Sequence, residues 1–195
     1  MENLLSDYGI PPRFQDKSFD NFVPQNEDQK KKLDIIKNSK DGLLLLGSYG
    51  TGKTHLAVAL LKERIKQGKH SNWRDGFFIT SSELCQLISD NLAHRRTSEE
   101  WDNPKPVWEK IIETDFLVLD DLGTEQMTET RGDKLYYLIN DRYLNNRITI
   151  LTSNRSLDEL GELIDEKIVS RILEMAKVIE IRGEDYRQKL ARSGE

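Results

Sequence analysis

The sequence has one cysteine, Cys85, among 195 residues. That excludes an intrachain disulfide, and no cysteine–histidine cluster exists to hold structural zinc. Long apolar runs are missing as well, and no stretch approaches the roughly 20 apolar residues of a membrane span. The start, Met1-Glu-Asn-Leu-Leu-Ser-Asp-Tyr8, lacks the basic segment and apolar core of a signal peptide. A cytoplasmic protein without membrane contact is expected. Positive charge is not in excess either. The net charge is −5, so overall electrostatics gives no support for nucleic-acid binding. Two local basic runs, Lys30-Lys31-Lys32 and His94-Arg95-Arg96, read most simply as solvated helix faces or ends. Internal repeats and low-complexity tracts are also absent.

What is present is an alternation of short apolar runs with amphipathic stretches. Apolar runs at 43–46, 76–80, 116–120 and 148–152 predict four strands, and the mixed stretch 177–182 predicts a fifth. Helices are expected over 26–38, 53–67, 81–93, 107–113 and 128–145, then two short ones within 156–174 and a polar one at the end. Ser81 or Ser82 is the expected cap of the third helix. The alternation implies an α/β fold with a parallel sheet covered on both faces. The length suits one domain with a three-layer core. Residues 1–24, with Pro11, Pro12, Pro24 and scattered aromatics, predict an extended arm and no helix. The main domain then occupies 25–195.

The strongest chemical signal is Gly47-Ser48-Tyr49-Gly50-Thr51-Gly52-Lys53-Thr54. It follows an apolar strand, opens a helix and fits G-x-x-x-x-G-K-[ST], the phosphate-binding P-loop. With glycine near 7% of residues, its fixed positions match by chance about once in a hundred chains of this length. The glycines let the backbone curl so that its N–H groups form a concave anion site at a helix start. Lys53 adds positive charge for the β- and γ-phosphates, and the Thr54 hydroxyl can bind Mg²⁺. Residues 47–55, His55 included, are the expected contacts of a nucleoside triphosphate.

The third strand ends in Asp120-Asp121. An acid at the tip of a buried strand is the expected partner for Mg²⁺, here Asp120. Asp121 can accept a proton from an attacking water or orient it. Its alternative role is to cap the turn Leu122-Gly123, since Asp is a common turn residue. The fourth strand ends in Thr152-Ser153-Asn154, which places the Asn154 amide where it can reach the γ-phosphate and the attacking water. Arg171, in Lys167-Ile-Val-Ser-Arg171-Ile, is either a surface ion-pair residue or an arginine finger acting on a neighbour's site.

Taken together, several stretches resemble the AAA+ ATPases that load bacterial replicative helicases. These are Pro-Pro-Arg-Phe and Ser-Phe-Asp-Asn-Phe within 11–22, Gly-Ser-Tyr-Gly-Thr-Gly-Lys-Thr-His, Leu-Val-Leu-Asp-Asp-Leu-Gly-Thr-Glu, Thr-Ser-Asn, Val-Ser-Arg-Ile and Gly-Glu-Asp-Tyr-Arg. This is the DnaC/DnaI group, to which the transposition helper IstB is closely similar, and the likeness runs from about residue 10 to 187.

The resemblance implies a P-loop NTPase three-layer sandwich with a five-stranded parallel sheet in the order 5-1-4-3-2 and no C-terminal helical lid. It makes Gly47–Thr54 the Walker A loop, Asp120 and Asp121 Walker B, Asn154 sensor 1 and Arg171 the arginine finger. Arg187 would stand in for a sensor 2 arginine. The implied activity is ATP hydrolysis with Mg²⁺, slow in the free subunit, in an ATP-dependent homo-oligomer. The implied partners are a replicative hexameric helicase and single-stranded DNA, with His94, Arg95 and Arg96 near a central channel as DNA contacts. Two alternatives share the same core: an IstB-like transposition helper, and an ATP-gated binding module with negligible turnover. The chromosomal loaders carry an N-terminal helicase-binding domain, whereas here the core starts almost at once. That suggests a phage or mobile-element version, a helicase contact within the core or arm, or a piece of a larger chain.

Overall fold

The computed structural model describes residues 2–69, 72–93 and 106–188. Five strands form one parallel sheet: β1 (Gly42–Leu46), β2 (Phe77–Thr80), β3 (Phe116–Asp120), β4 (Ile148–Ser153) and β5 (Ala176–Glu180). Their order is β2-β3-β4-β1-β5, the expected 5-1-4-3-2 read from the other edge. The helices are α1 (Glu2–Asp7), α2 (Glu27–Lys37), α3 (Lys53–Gln67), α4 (Ser81–Ala93), α5 (Val107–Glu113), α6 (Glu129–Leu144), α7 (Leu157–Ile164) and α8 (Glu166–Met175).

Strand side chains alternate between faces, and this alternation builds two cores. Leu43 and Leu45 of β1 meet Leu56, Leu60 and Leu61 of α3 together with Ile36 of α2. Leu44 and Leu46 face the other way, toward Leu135, Leu138 and Ile139 of α6, Leu160 of α7 and Ile168 of α8. Near-complete burial of β1, β3 and β4 explains why they read as continuous apolar runs.

Three local expectations need correction. The arm is not wholly extended: Glu2–Asp7 is helical, because the first proline comes only at Pro11 and nothing earlier prevents a helical turn. The start of α4 is capped by Thr80 and by neither Ser81 nor Ser82. Glu83 N donates to Thr80 Oγ1 at 3.1 Å and Thr80 N to Glu83 Oε2 at 2.9 Å, a reciprocal box at the strand–helix junction. The fifth strand starts one residue earlier than expected, because Ala176 pairs with Gly42 in the sheet.

Arg142 of α6 is fully buried, which its local sequence, Asn140-Asp141-Arg142-Tyr143, did not signal. It donates to Thr149 Oγ1 (2.8 Å), Ile111 O (3.2 Å), Ile112 O (3.5 Å), Thr114 O (2.9 Å) and Ile148 O (2.7 Å). The guanidinium thereby ties the end of α5 to the start of β4. Burial pushes its pKa down to about 9, helped by Arg147, so it remains charged at neutral pH.

The functional consequence of the topology lies at the carboxyl rim. From β1 the chain crosses to β2 at the far edge, while from β4 it passes to β5 on the other side. The order therefore reverses between β4 and β1, the place where ligands bind in open parallel sheets.

Candidate nucleotide-binding site

Strands β3, β4 and β1 are neighbours, so their tips lie about 4.8 Å apart along the rim. Leu45 pairs with Thr152 and Leu119 with Leu151, which sets Asp120 beside Thr152. The loop after β1 ends on Gly52 with φ 95°, and α3 begins at Lys53. Gly50 (φ 72°) and Gly52 occupy left-handed backbone, and neither has room for a side chain. A Cβ on Gly52 would lie 2.5 Å from Phe22, and one on Gly50 within 2 Å of Asp185 Oδ1. Both spacer positions thus need glycine for conformation and for space.

Two short hydrogen-bonded chains connect the predicted residues. Lys53 Nζ donates to Gly47 O and Ser48 O, both at 2.8 Å, and to Asn154 Oδ1 at 2.5 Å. Asn154 Nδ2 donates in turn to Asp121 Oδ1 at 3.2 Å. In the second chain Thr54 Oγ1 lies 2.9 and 3.1 Å from the two Asp120 carboxylate oxygens. Thr152 Oγ1 donates to Asp120 Oδ1 at 2.6 Å and accepts from Asp121 N at 2.9 Å. Asp121 itself has φ 57°, a conformation that Asp tolerates better than most side chains.

The electrostatics follow from burial. Asp120 is 3% exposed, and its pKa is raised to about 6. Desolvation is the main cause, with Asp121 adding to it and the Thr152 and Thr54 hydroxyls opposing it. Burial also pushes the Lys53 ammonium below the ordinary lysine range; Asp121 and Asp120 pull it back and Arg187 adds to the depression. The rim therefore holds a desolvated cation beside two acids, so attraction of an anion to Lys53 and of a cation to the acids are both stronger there than in water.

A cleft of about 440 Å³ runs from this rim to the N-terminal arm. Tyr49–His55, Asp121 and Asn154 line it from the rim, Arg13, Phe14, Lys17, Asn21 and Phe22 from the arm, and Tyr186 and Arg187 from the segment after β5. His55 faces the cleft but is held by the arm. Its Nε2–H donates to Ser18 O at 2.8 Å, and its ring meets Phe22 edge-on at 5.2 Å. Burial lowers its pKa from the ordinary histidine value.

Most of the predicted residues are thus brought together. Arg171 is not among them. It lies on α8, with Nη1 3.2 Å from Glu174 Oε2 and its guanidinium 4.7 Å from the centre of the Tyr143 ring. His94, Arg95 and Arg96 lie outside the described residues. Sequence reasoning missed Thr152 as the link between the two acids, although a hydroxyl ending an apolar strand beside Asp120 was an available signal. It also missed the arm's share of the cleft, for which no local pattern existed. Among the described residues, no helix is long and apolar enough to cross a membrane.

A parallel sheet in this order, with a glycine loop and helix start after β1 and an acid at the tip of β3, defines a P-loop nucleotide-binding domain of AAA+ type. The sequence profile of IstB-like ATP binding proteins matches residues 16–194, and the chain belongs to that family. It is 26% identical to a protein named for ATP binding in insertion sequence IS5376 of Geobacillus stearothermophilus, over 96% of this chain and 73% of that protein. It is equally 26% identical to the replicative helicase loader DnaC of Escherichia coli K12, over 88% of this chain and 69% of that one. A crystal structure of the DnaC helicase loader superposes with a TM-score of 0.72 and 28% identity, covering 88% of this chain and all of that one.

Proposed function

We propose that this protein is an ATP-driven loader that works as an oligomer and places a replicative hexameric helicase on single-stranded DNA. The observation that carries the ATP reading is the pair of hydrogen-bonded chains, Lys53–Asn154–Asp121 and Thr54–Asp120–Thr152, across three adjacent strand tips. The loader reading draws on the likeness to DnaC, which covers 69% of that protein and all of the chain seen in its crystal structure.

In this reading the loop amides and Lys53 hold the phosphates. The Thr54 hydroxyl and the Asp120 carboxylate, 2.9 Å apart, are adjacent hard oxygen donors that suit Mg²⁺. They would hold an ion that supplies charge neutralisation between the β- and γ-phosphates. Asp121 orients the attacking water and accepts its proton. Asn154, bonded to both Lys53 and Asp121, keeps ammonium, water and carboxylate in register. Arg187 of the same chain contacts the terminal phosphate. Arg171 of a neighbouring subunit completes the charge stabilisation, and His94, Arg95 and Arg96 contact DNA. Catalysis of this kind is mainly positioning and electrostatics, so the free subunit hydrolyses ATP slowly. Hydrolysis then alters the subunit interface and releases the helicase.

The test is Arg171→Ala. Nucleotide affinity of the monomer stays unchanged, while phosphate release by the assembly formed with DNA and helicase falls by about 10³-fold. Equal turnover in the assembled variant sinks the trans assignment. The IstB-like family match and the insertion-sequence relative favour a second reading, a transposition helper that binds target DNA and activates a transposase. Pull-downs of the full chain with ATP against a replicative helicase and a transposase separate the two.

A further inference from the structure

The chain beyond β5 leaves the sheet after Ile181, whose N donates to Leu46 O at 2.7 Å. It then crosses the start of α2 before reaching the cleft with Tyr186 and Arg187. At the crossing, side-chain amides bind it as another strand would. Gln25 Nε2 donates to Glu184 O at 2.9 Å, and Glu184 N donates to Gln25 Oε1 at 2.8 Å. One residue pair thereby reproduces the two-way peptide pairing of a ladder. Gln29 Nε2 donates to Arg182 O at 3.1 Å, and its Oε1 accepts from Gln25 N at 2.8 Å.

Gln29 is a buried polar residue, 2% exposed, so this pairing is the reason it can lie inside. Gly183 lies so close that a Cβ there would be 2.5 Å from Gln29 Nε2. On the far side Tyr186 N donates to Gly50 O at 3.1 Å, and Asp185 Oδ1 accepts from Arg187 N at 3.0 Å. Arg187 is therefore held between the P-loop and the first turn of α2.

Gln25 and Gln29 also line the nucleotide cleft. Their amide atoms are already engaged, on Glu184, Arg182 and Gln25 N, so polar readout of a nucleotide is not what the arrangement provides. We propose that Gln25 and Gln29 are positioning residues that latch the segment after β5 and so aim Arg187 at the terminal phosphate of bound ATP. The proposal rests on the reading of Arg187 as a phosphate contact. A latch of this kind acts on the distinction between ATP and ADP, because only ATP offers the phosphate that Arg187 meets. Its contacts join residues 153 to 159 positions apart, so freeing them lets the segment explore many conformations in which Arg187 misses the phosphate.

The experiment measures equilibrium affinities for a non-hydrolysable ATP analogue and for ADP, both with Mg²⁺. The proteins are the full wild-type chain, Gln25→Ala, Arg187→Ala and the double variant, with thermal melts as the fold control. Arg187→Ala is expected to reduce the preference for the ATP analogue by about 10-fold, the size of one charge-assisted hydrogen bond. Gln25→Ala reduces it by roughly 5-fold, and the double variant matches Arg187→Ala alone, with ADP affinity within about 2-fold throughout. Gly183→Ala, which wedges the same contact from the other side, gives the same loss and serves if Gln25→Ala melts early. A normal preference in both latch variants, or a Gln25→Ala effect that persists undiminished without Arg187, overturns the latch while leaving the phosphate reading intact. An unchanged preference in Arg187→Ala overturns the phosphate reading and the latch with it.

Discussion

The Lys53 ammonium donates to the Asn154 side-chain oxygen at 2.5 Å, although the two residues are 101 positions apart. Asn154 then passes the contact on to Asp121 at 3.2 Å. One amide thus joins the P-loop lysine to the carboxylate at the tip of β3.

That position makes Asn154→Ala informative. Lys53 keeps its two loop carbonyls, so nucleotide affinity should change by less than about 3-fold. Phosphate release should fall about 10²-fold, as when one oriented donor is removed from a charge-stabilising site. Nucleotide titration beside single-turnover phosphate release checks the split. A parallel loss in both would mean that Asn154 serves binding and has no separate share in turnover.

Thr152→Val tests the link between the acids. The Thr152 hydroxyl serves Asp120 Oδ1 and Asp121 N together, and valine keeps the shape while leaving both without it. An unpartnered buried group costs about 1–3 kcal/mol, so the melting temperature should drop by roughly 2–10 °C for a domain of this size. Circular-dichroism melts at neutral pH measure it.

Arg142→Leu should be among the most destabilising substitutions in the chain. It removes a buried cation whose hydrogen bonds hold the end of α5 and the start of β4. Leucine takes the guanidinium's donors away from those carbonyls and from the Thr149 hydroxyl, at a cost of about 3–5 kcal/mol. Arg142→Lys recovers only part of this, since an ammonium lacks the fork that reaches both sides. Urea unfolding curves of the two variants check the order.

Cys85 provides a probe of the α4 face. Its thiol is 5% exposed, and burial pushes its pKa above the ordinary cysteine value, with Glu125 adding to the rise and Arg131 opposing it. The thiolate is the reactive form, so at pH 8 alkylation of the folded protein should be at least about 10-fold slower than in urea. Raising the pH should accelerate the native reaction over a higher range than for a free thiol. Mass-spectrometric labelling time courses read both effects.

Much of the fold was legible because each strand carries its own local signature. A run such as Phe116–Asp120 is apolar until its last residue, and no neighbour is needed to read it. Tyr49–Thr54 was equally plain, since a glycine loop before a helix start is a local device whose chemistry lies in its own backbone. Local chemistry also misled. Glu2–Asp7 took a helical turn ahead of the prolines, and Thr80 displaced the two serines as a cap because its partner Glu83 stands three residues on.

The sequence by itself determined the strands, the anion-binding loop and which acids and amides could serve it, because each depends on the order of residues within a few turns of chain. Only the tertiary structure decided what those residues touch. The crossover from β1 to the far edge sets the tips of β3, β4 and β1 side by side, and so turns separations of 66 and 101 positions into hydrogen bonds. The same packing buries Arg142, gives the arm its share of the cleft and lays the chain after β5 across Gln25 and Gln29. None of this has a local pattern, since a polar side chain reads as exposed until its distant partners arrive.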